Sequence, residues 1–411
     1  MYKPKVVSLF SGAGGMDLGF INAGYDIVWA VDFFKEAVET YRHNISEDII
    51  LGDITKIDSS EIPNDADVII GGFPCQGFSV ANSNRSEKDE RNFLYLEMLR
   101  IVKDKKPNVF VAENVKGIMS LGQGKVLELI KKDFESIGYK VSAQLLNAAE
   151  YGVPQARERV IIIGNKIGVE NEFPFPTHYL TENDSLQLSL NCTNKKLLPA
   201  VTTKKAIGYL ADAPLSHDSI VWKGEKVYNH IASTNVADTF WGREYKVDQA
   251  DICDYLKHWR AKSEWSTKKI DEHFGYRHTA GHWFRKDNNS GSIPKPSDWW
   301  ELKKLLGFDD KYDKEVTTFV EKDITFEQSL RITNWDTPSD TITATSPEIH
   351  TNKERRLTVR EAAILQTFPN DFIFSGGMHR MYTQIGNAVP VLLAEKVAES
   401  VKNMLKRPIN K

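Results

Sequence analysis

The 411-residue sequence predicts an α/β protein, with a mostly parallel sheet in one domain and a smaller, irregular second domain. Over the first 165 residues, short apolar runs alternate with amphipathic stretches, as βαβ units do. After about residue 170 the alternation stops, and eight of the nine tryptophans lie beyond that point. The strands read as 5–10, 26–31, 67–71, 108–112 and 159–163, each a short run rich in Val and Ile. Amphipathic stretches at 34–44, 93–105 and 123–137 supply helices between them. The prolines at 174 and 176 stop regular structure and mark a boundary. A helical pattern returns at TVREAAILQTF (358–368), and a last helix begins near Pro390. The expected divisions are therefore 1–169, an irregular domain at 170–355, and a final segment at 356–411.

Lys and Arg total 53 and Asp and Glu 56, a formal charge of −3. That balance excludes a basic coat over the whole surface, while local basic patches remain open. Hydrophobic residues at 41% and charged residues at 27% belong to a globular chain. No run of about 20 apolar residues occurs, so a membrane segment is not expected and a cytoplasmic location is. Cys75, Cys192 and Cys253 are widely spaced and lack CxxC spacing, so neither a disulfide framework nor a metal site is expected.

The unusual residues cluster just beyond the strands, where parallel sheets bind ligands. FSGAGG (10–15) joins the first strand to a helix, and its glycines let a ligand approach the backbone. Its spacing departs from the GxGxxG dinucleotide fingerprint. Asp32 ends the second strand, where a carboxylate can bond a ribose diol, and Asp53 sits in a Gly-Asp-Ile turn. Phe10 and Phe33 add flat apolar surface. Together these describe an adenosine pocket, though each Asp alone also suits a turn or helix cap.

GGFPCQGFS (71–79) follows an apolar strand. A lone Cys is commonly a small core hydrophobe. Here Pro74, Gln76 and the flanking glycines make a poor core segment and suit an accessible thiolate at Cys75. Glu113, in ENV (113–115), faces the same crevice, and nucleophile plus acid suggests covalent catalysis with protonation of the substrate. In QARER (155–159), strand alternation puts Gln155, Arg157 and Arg159 on one face, able to grip a phosphate or a base edge, or else to form a surface ion-pair strip.

With these motifs in order, followed by RLTVREAAILQTFP (356–369) and QIGNAVP (384–390), the sequence closely resembles the C5-cytosine DNA methyltransferase family. The resemblance covers about 1–165 and 355–405. It implies a Rossmann-like, S-adenosylmethionine-dependent catalytic domain completed by the final segment, a target-recognition domain in the middle, and duplex DNA as substrate. Carried over, Cys75 resembles the nucleophile that attacks cytosine C6, and Glu113 the group that bonds the exocyclic amine and protonates N3. Arg159 would hold the flipped base, with Arg157 and Gln155 supporting loop and backbone. Phe10, Gly12, Gly14, Asp32, Phe33, Asp53, Ile54 and Pro74 would line the cofactor pocket, closed by Asn387 and Ala388. Gln76 and Ser79 would lie at the DNA. The family usually carries Glu at the position of Asp32 and often Trp at that of Phe33. The role implied is protection of host DNA beside a restriction endonuclease, and the form expected is a monomer.

In the middle region, Arg277, Arg285 and Lys286 mix with aromatic residues and suit DNA contacts, Arg by bidentate pairing with guanine. Lys195, Lys196, Lys204 and Lys205 suit phosphates or a solvated face equally. The resemblance puts Thr343 where the recognition domain returns to the catalytic one, and so implies a contact near the target base. Two rivals stand beside this reading: an RNA cytosine methyltransferase and a DNA-binding regulator without turnover. The long middle region and Pro-Cys-Gln context favour DNA, and the intact Cys75, Glu113 and Arg159 set favours an enzyme.

Overall fold

The computed structural model describes residues 2–74, 94–181, 197–234, 249–275, 296–319, 332–344, 348–352 and 354–407. The chain divides into two compact units. One comprises Met1–Ile231, Asn334–Thr345 and Val359–Lys411; the other comprises Ala232–Thr333 and Ser346–Thr358.

In the first unit, β1 (Lys5–Leu9), β2 (Asp26–Asp32), β3 (Ile49–Leu51), β4 (Val68–Gly71), β5 (Val109–Val115), β6 (Lys140–Asn147) and β7 (Glu158–Asn165) form one sheet in the order β3-β2-β1-β4-β5-β7-β6. The first five run parallel, while β7 is antiparallel to both β5 and β6. A strand over 159–163 was legible in the sequence, but its direction was not. β6 supplies a hairpin partner that turns the chain back before β7 enters the sheet.

Period-two alternation sorts the apolar side chains into two layers. Val7, Leu9, Ile69, Phe110 and Ile162 face one core with α3 (Leu94–Lys105) and α4 (Lys125–Ser136), through Met98, Ile101, Ile130 and Phe134. Val6, Val68, Ile70, Val111 and Ile161 face the other, with α1 (Gly15–Asn22) contributing Met16 and Phe20. Beside β2, α2 (Lys35–Asn44) packs Val38 and Tyr41 against Ala30 and Ile49. Helices thus cover both faces, and the chain turns in opposite directions from β1, to β2 and to β4, leaving a switch point at their carboxyl ends.

Residues 170–231, read from sequence as the start of the irregular domain, lie in the first unit. Tyr151 donates to Pro174 O at 3.0 Å, and α5 (Thr203–Ile207) leads into a small core of Leu210, Ala213 and Val227. The prolines end a strand's continuation without ending the domain. In the second unit the described residues are mainly helical: α6 (Gln249–Lys262), α7 (Thr267–Phe274), α8 (Pro296–Leu306) and α9 (Asp313–Phe319). Their core centres on the fully buried Trp299, whose indole N–H donates to Asp313 Oδ1 at 2.8 Å. The chain then returns to the first unit with α10 (Val359–Leu365), α11 (Met378–Asn387) and α12 (Val391–Leu405). Val397, Ala398 and Val401 of α12 complete the core beneath α1. Among the described residues no helix is long and apolar enough to cross a membrane.

Candidate active site

The turn after β1 runs through left-handed backbone, which glycine adopts freely and Phe does not. Phe10, Gly12 and Gly14 have φ of 55°, 55° and 88°. Ser11 pins the turn: its N–H donates to Val31 O at 3.1 Å, and its carbonyl accepts from Gly14 N–H at 2.9 Å. Across it, Asp32 accepts from Gly12 N–H through Oδ2 and from Phe34 N–H through Oδ1, both at 2.8 Å. Burial raises the Asp32 carboxyl above its ordinary value, and the N–H groups of Phe34, Gly12 and Phe33 oppose the rise. Phe33 is 72% exposed, and the space beyond Gly12 is open. Asp53 is half-exposed and caps the turn Ile54–Lys56, accepting from the Thr55 hydroxyl at 2.8 Å and its N–H at 3.0 Å. Those bonds, the hydroxyl first, hold Asp53 below its ordinary value. Ile54 is buried in the core beside this turn.

At the ends of β5 and β7, Glu113 Oε1 and Arg159 Nε are 2.7 Å apart, with both side chains 11% exposed. The register explains the pairing. Glu113 stands opposite Ile161, so Arg159, two residues earlier on β7, is its diagonal neighbour on the same face. Burial lowers the Arg159 guanidinium, and the Glu113 carboxylate opposes that fall. Asn114 donates to Phe73 O at 3.1 Å, tying β5 to the segment leaving β4. A side chain on Gly72 would stand 3.1 Å from Glu113 Oε2. The segment carrying Phe73 and Pro74 therefore passes close to the carboxylate.

Gln155 and Arg157 precede β7, so strand alternation does not align them with Arg159. Both are buried. Gln155 donates to Leu365 O and Gln366 Oε1, each at 3.2 Å, and accepts from Ile342 N–H at 2.9 Å, so its amide is spent inside the protein rather than displayed to a partner. Arg157 donates to the carbonyls of Ile342 (2.8 Å), Gly386 (2.6 Å) and Ala388 (3.0 Å). Burial, then the charge of Arg159, push its pKa well below the ordinary value. Gln366 adds a bond to Ile385 O at 2.7 Å. These bonds gather Thr343's segment, Asn387 and Ala388 behind β7. Asn387 itself is exposed and Ala388 half-buried, and the space for a Cβ on Gly15 is closed by Val389 O and Ala388 Cβ, which brings the C-terminal turn against the start of α1.

Sequence reading missed two participants. Gln366 gave no signal beyond polarity inside an apolar run. Asp17 is the one acidic residue in GMDLGFIN, and it is completely buried. Lys204 and Lys205 stand exposed on α5. Cys75, Gln76, Ser79, Lys195, Lys196, Arg277, Arg285 and Lys286 lie outside the described residues.

Comparison with known proteins bears on the family and the fold. The model of a family described as C-5 cytosine-specific DNA methylase matches residues 4–403. The Type II methyltransferase M.NgoFVII of Neisseria gonorrhoeae is 34% identical over 407 residues, covering 97% of this chain and 86% of that protein. The Type II methyltransferase M.FnuDI of Fusobacterium nucleatum is 32% identical over 405 residues, covering 98% and 95%. Among solved structures, a methyltransferase encoded within an E. coli prophage superposes with a TM-score of 0.60 at 22% identity, covering 98% of this chain and all of that one. At that identity the likeness bears on the fold.

Proposed function

The chain belongs to the C-5 cytosine-specific DNA methylase family, and on that premise we propose that it methylates C5 of a cytosine flipped out of duplex DNA, with S-adenosylmethionine as donor. The buried Glu113–Arg159 pair beside the exit from β4 is the observation that carries this reading. It sets a carboxyl group and a guanidinium, both able to bond a pyrimidine edge, next to the segment that delivers Cys75.

The pocket fits the donor. Open space over Gly12, the exposed Phe33 and the carboxylates of Asp32 and Asp53 suit a nucleoside carrying positive charge. Phe10, Gly12, Gly14, Asp32, Phe33, Asp53, Ile54 and Pro74 would hold it, with Asn387 and Ala388 closing the far side. When bound, S-adenosylmethionine supplies an electrophilic methyl group. The chain's own residues prepare the base. The Cys75 thiolate adds to C6 while Glu113 gives a proton to N3, which leaves C5 enamine-like and nucleophilic. Arg159 holds Glu113 and the ring in register. Loss of the C5 proton to a base, then departure of the thiolate and return of the N3 proton to Glu113, restore the aromatic ring. Flipping costs a few kcal/mol, met by contacts to the extruded base. Gln76, Ser79, Arg277, Arg285, Lys286 and Thr343 are the proposed DNA contacts. Arg157 and Gln155 act from behind, as supports.

The relatives are named Type II methyltransferases, which supports a modification enzyme working in the cytosol beside a restriction endonuclease. DNA containing 5-fluorocytosine tests the chemistry, since fluorine at C5 blocks elimination. Wild-type protein should form an adduct that survives denaturation, and Cys75→Ser should form none while still binding S-adenosylhomocysteine. Near-normal turnover by Cys75→Ser would refute the nucleophile.

A further inference from the structure

The methylation chemistry leaves several buried charged groups unused, Asp17 among them. Asp17 lies in the first turn of α1, whose N-cap, Gly14, has no side chain to cap it. The Tyr41 hydroxyl donates to Asp17 Oδ1 at 3.0 Å, while Oδ2 has no hydrogen-bond partner. Four groups act on this carboxyl: the Ser8 hydroxyl from β1, the Tyr41 hydroxyl from α2, Asp17's own N–H, and the Asp32 charge at the end of β2. Ser8 also accepts from the Ser11 hydroxyl at 3.0 Å, and Ser11 is the residue that pins the turn between Gly12 and Gly14. Tyr41 is thus bonded to Asp17, and Ser8, which also acts on Asp17, is bonded to Ser11 at the glycine turn. Burying an acid with a free oxygen costs stability that an apolar residue would spare.

We propose that Asp17 is a positioning residue for the methyl donor: through Ser8 and Ser11 it keeps the Gly12–Gly14 backbone in the shape that receives the nucleoside. The inference rests on the cofactor reading above. Its test is equilibrium binding of S-adenosylhomocysteine by calorimetry to wild type, Asp17→Leu, Asp17→Asn and Tyr41→Phe, with KM for both substrates. Asp17→Leu should weaken binding about tenfold, a change of the size expected for losing one charged hydrogen bond. KM for the methyl donor should rise in step, with kcat and KM for DNA near wild type. Asp17→Asn, which keeps an acceptor for Tyr41, should restore most of the affinity. Tyr41→Phe should weaken binding about threefold, as loss of a neutral bond does. Wild-type affinity in a folded Asp17→Leu protein, or an equal rise in both KM values, would overturn the proposal. If Asp17→Leu does not fold, Tyr41→Phe decides, and unchanged affinity there overturns it. Failure of the wild type itself to bind would instead sink the cofactor reading.

Discussion

Glu113 Oε1 and Arg159 Nε meet at 2.7 Å in a buried site, where a charge-assisted bond is stronger than it is in water. Glu113→Gln removes the proton donor and leaves a guanidinium without its counter-ion. Turnover at neutral pH should fall at least ~100-fold, the usual worth of a general acid, while S-adenosylhomocysteine affinity is retained. An unaffected rate in a methylation assay would remove Glu113 from its role. Asp17 differs, since desolvation raises its pKa from 3.8 to about 6. The folded state then binds more protons than the unfolded chain between those values, so stability falls as pH rises from about 4 to about 6. Asp17→Asn should abolish that slope and be the more stable protein above pH 7, by about 3 kcal/mol at most. Parallel melting curves at pH 5 and pH 8 check the sign.

Two helices far apart in sequence meet through missing side chains. A Cβ on Gly19 would stand 2.5 Å from Ala394 Cβ and 2.6 Å from Glu395 N, so α1 and α12 touch backbone to backbone. Gly19→Val should cost about 1–3 kcal/mol by overpacking, read as a lowered Tm. Elements built on short apolar runs were legible in the sequence because burial on both faces demands them. β3, with three residues, and β6, an edge strand of mixed polarity, were not. α11 falls between the two helical patterns legible in this part of the sequence. Its helix depends on Met381, Tyr382 and Ile385 being buried by neighbours that its own sequence does not contain.

The first unit is assembled from three stretches of chain, and the second is inserted between them. The expected boundary at 169/170 lies well before the division at 231/232, since a proline pair reports local backbone and not which core the next residues join. If the inserted unit selects the target, exchanging 232–333 for the matching region of a relative should change the methylated sequence while leaving S-adenosylhomocysteine affinity unchanged. Bisulfite sequencing of DNA from expressing cells reads the outcome, and an unaltered sequence would place target choice elsewhere.

From sequence alone came the parallel-sheet class, the family resemblance and the positions of Glu113, Arg159, Asp32 and the glycine turn, because motifs at strand ends are local and their chemistry is written in residue type. The destination of Gln155 and Arg157 needed the tertiary structure. Alternation counts residues along a strand, but whether an amide meets solvent or Gln366 depends on segments more than 180 residues away. The same holds for Asp17, whose burial is set by α2 and β1 closing over it.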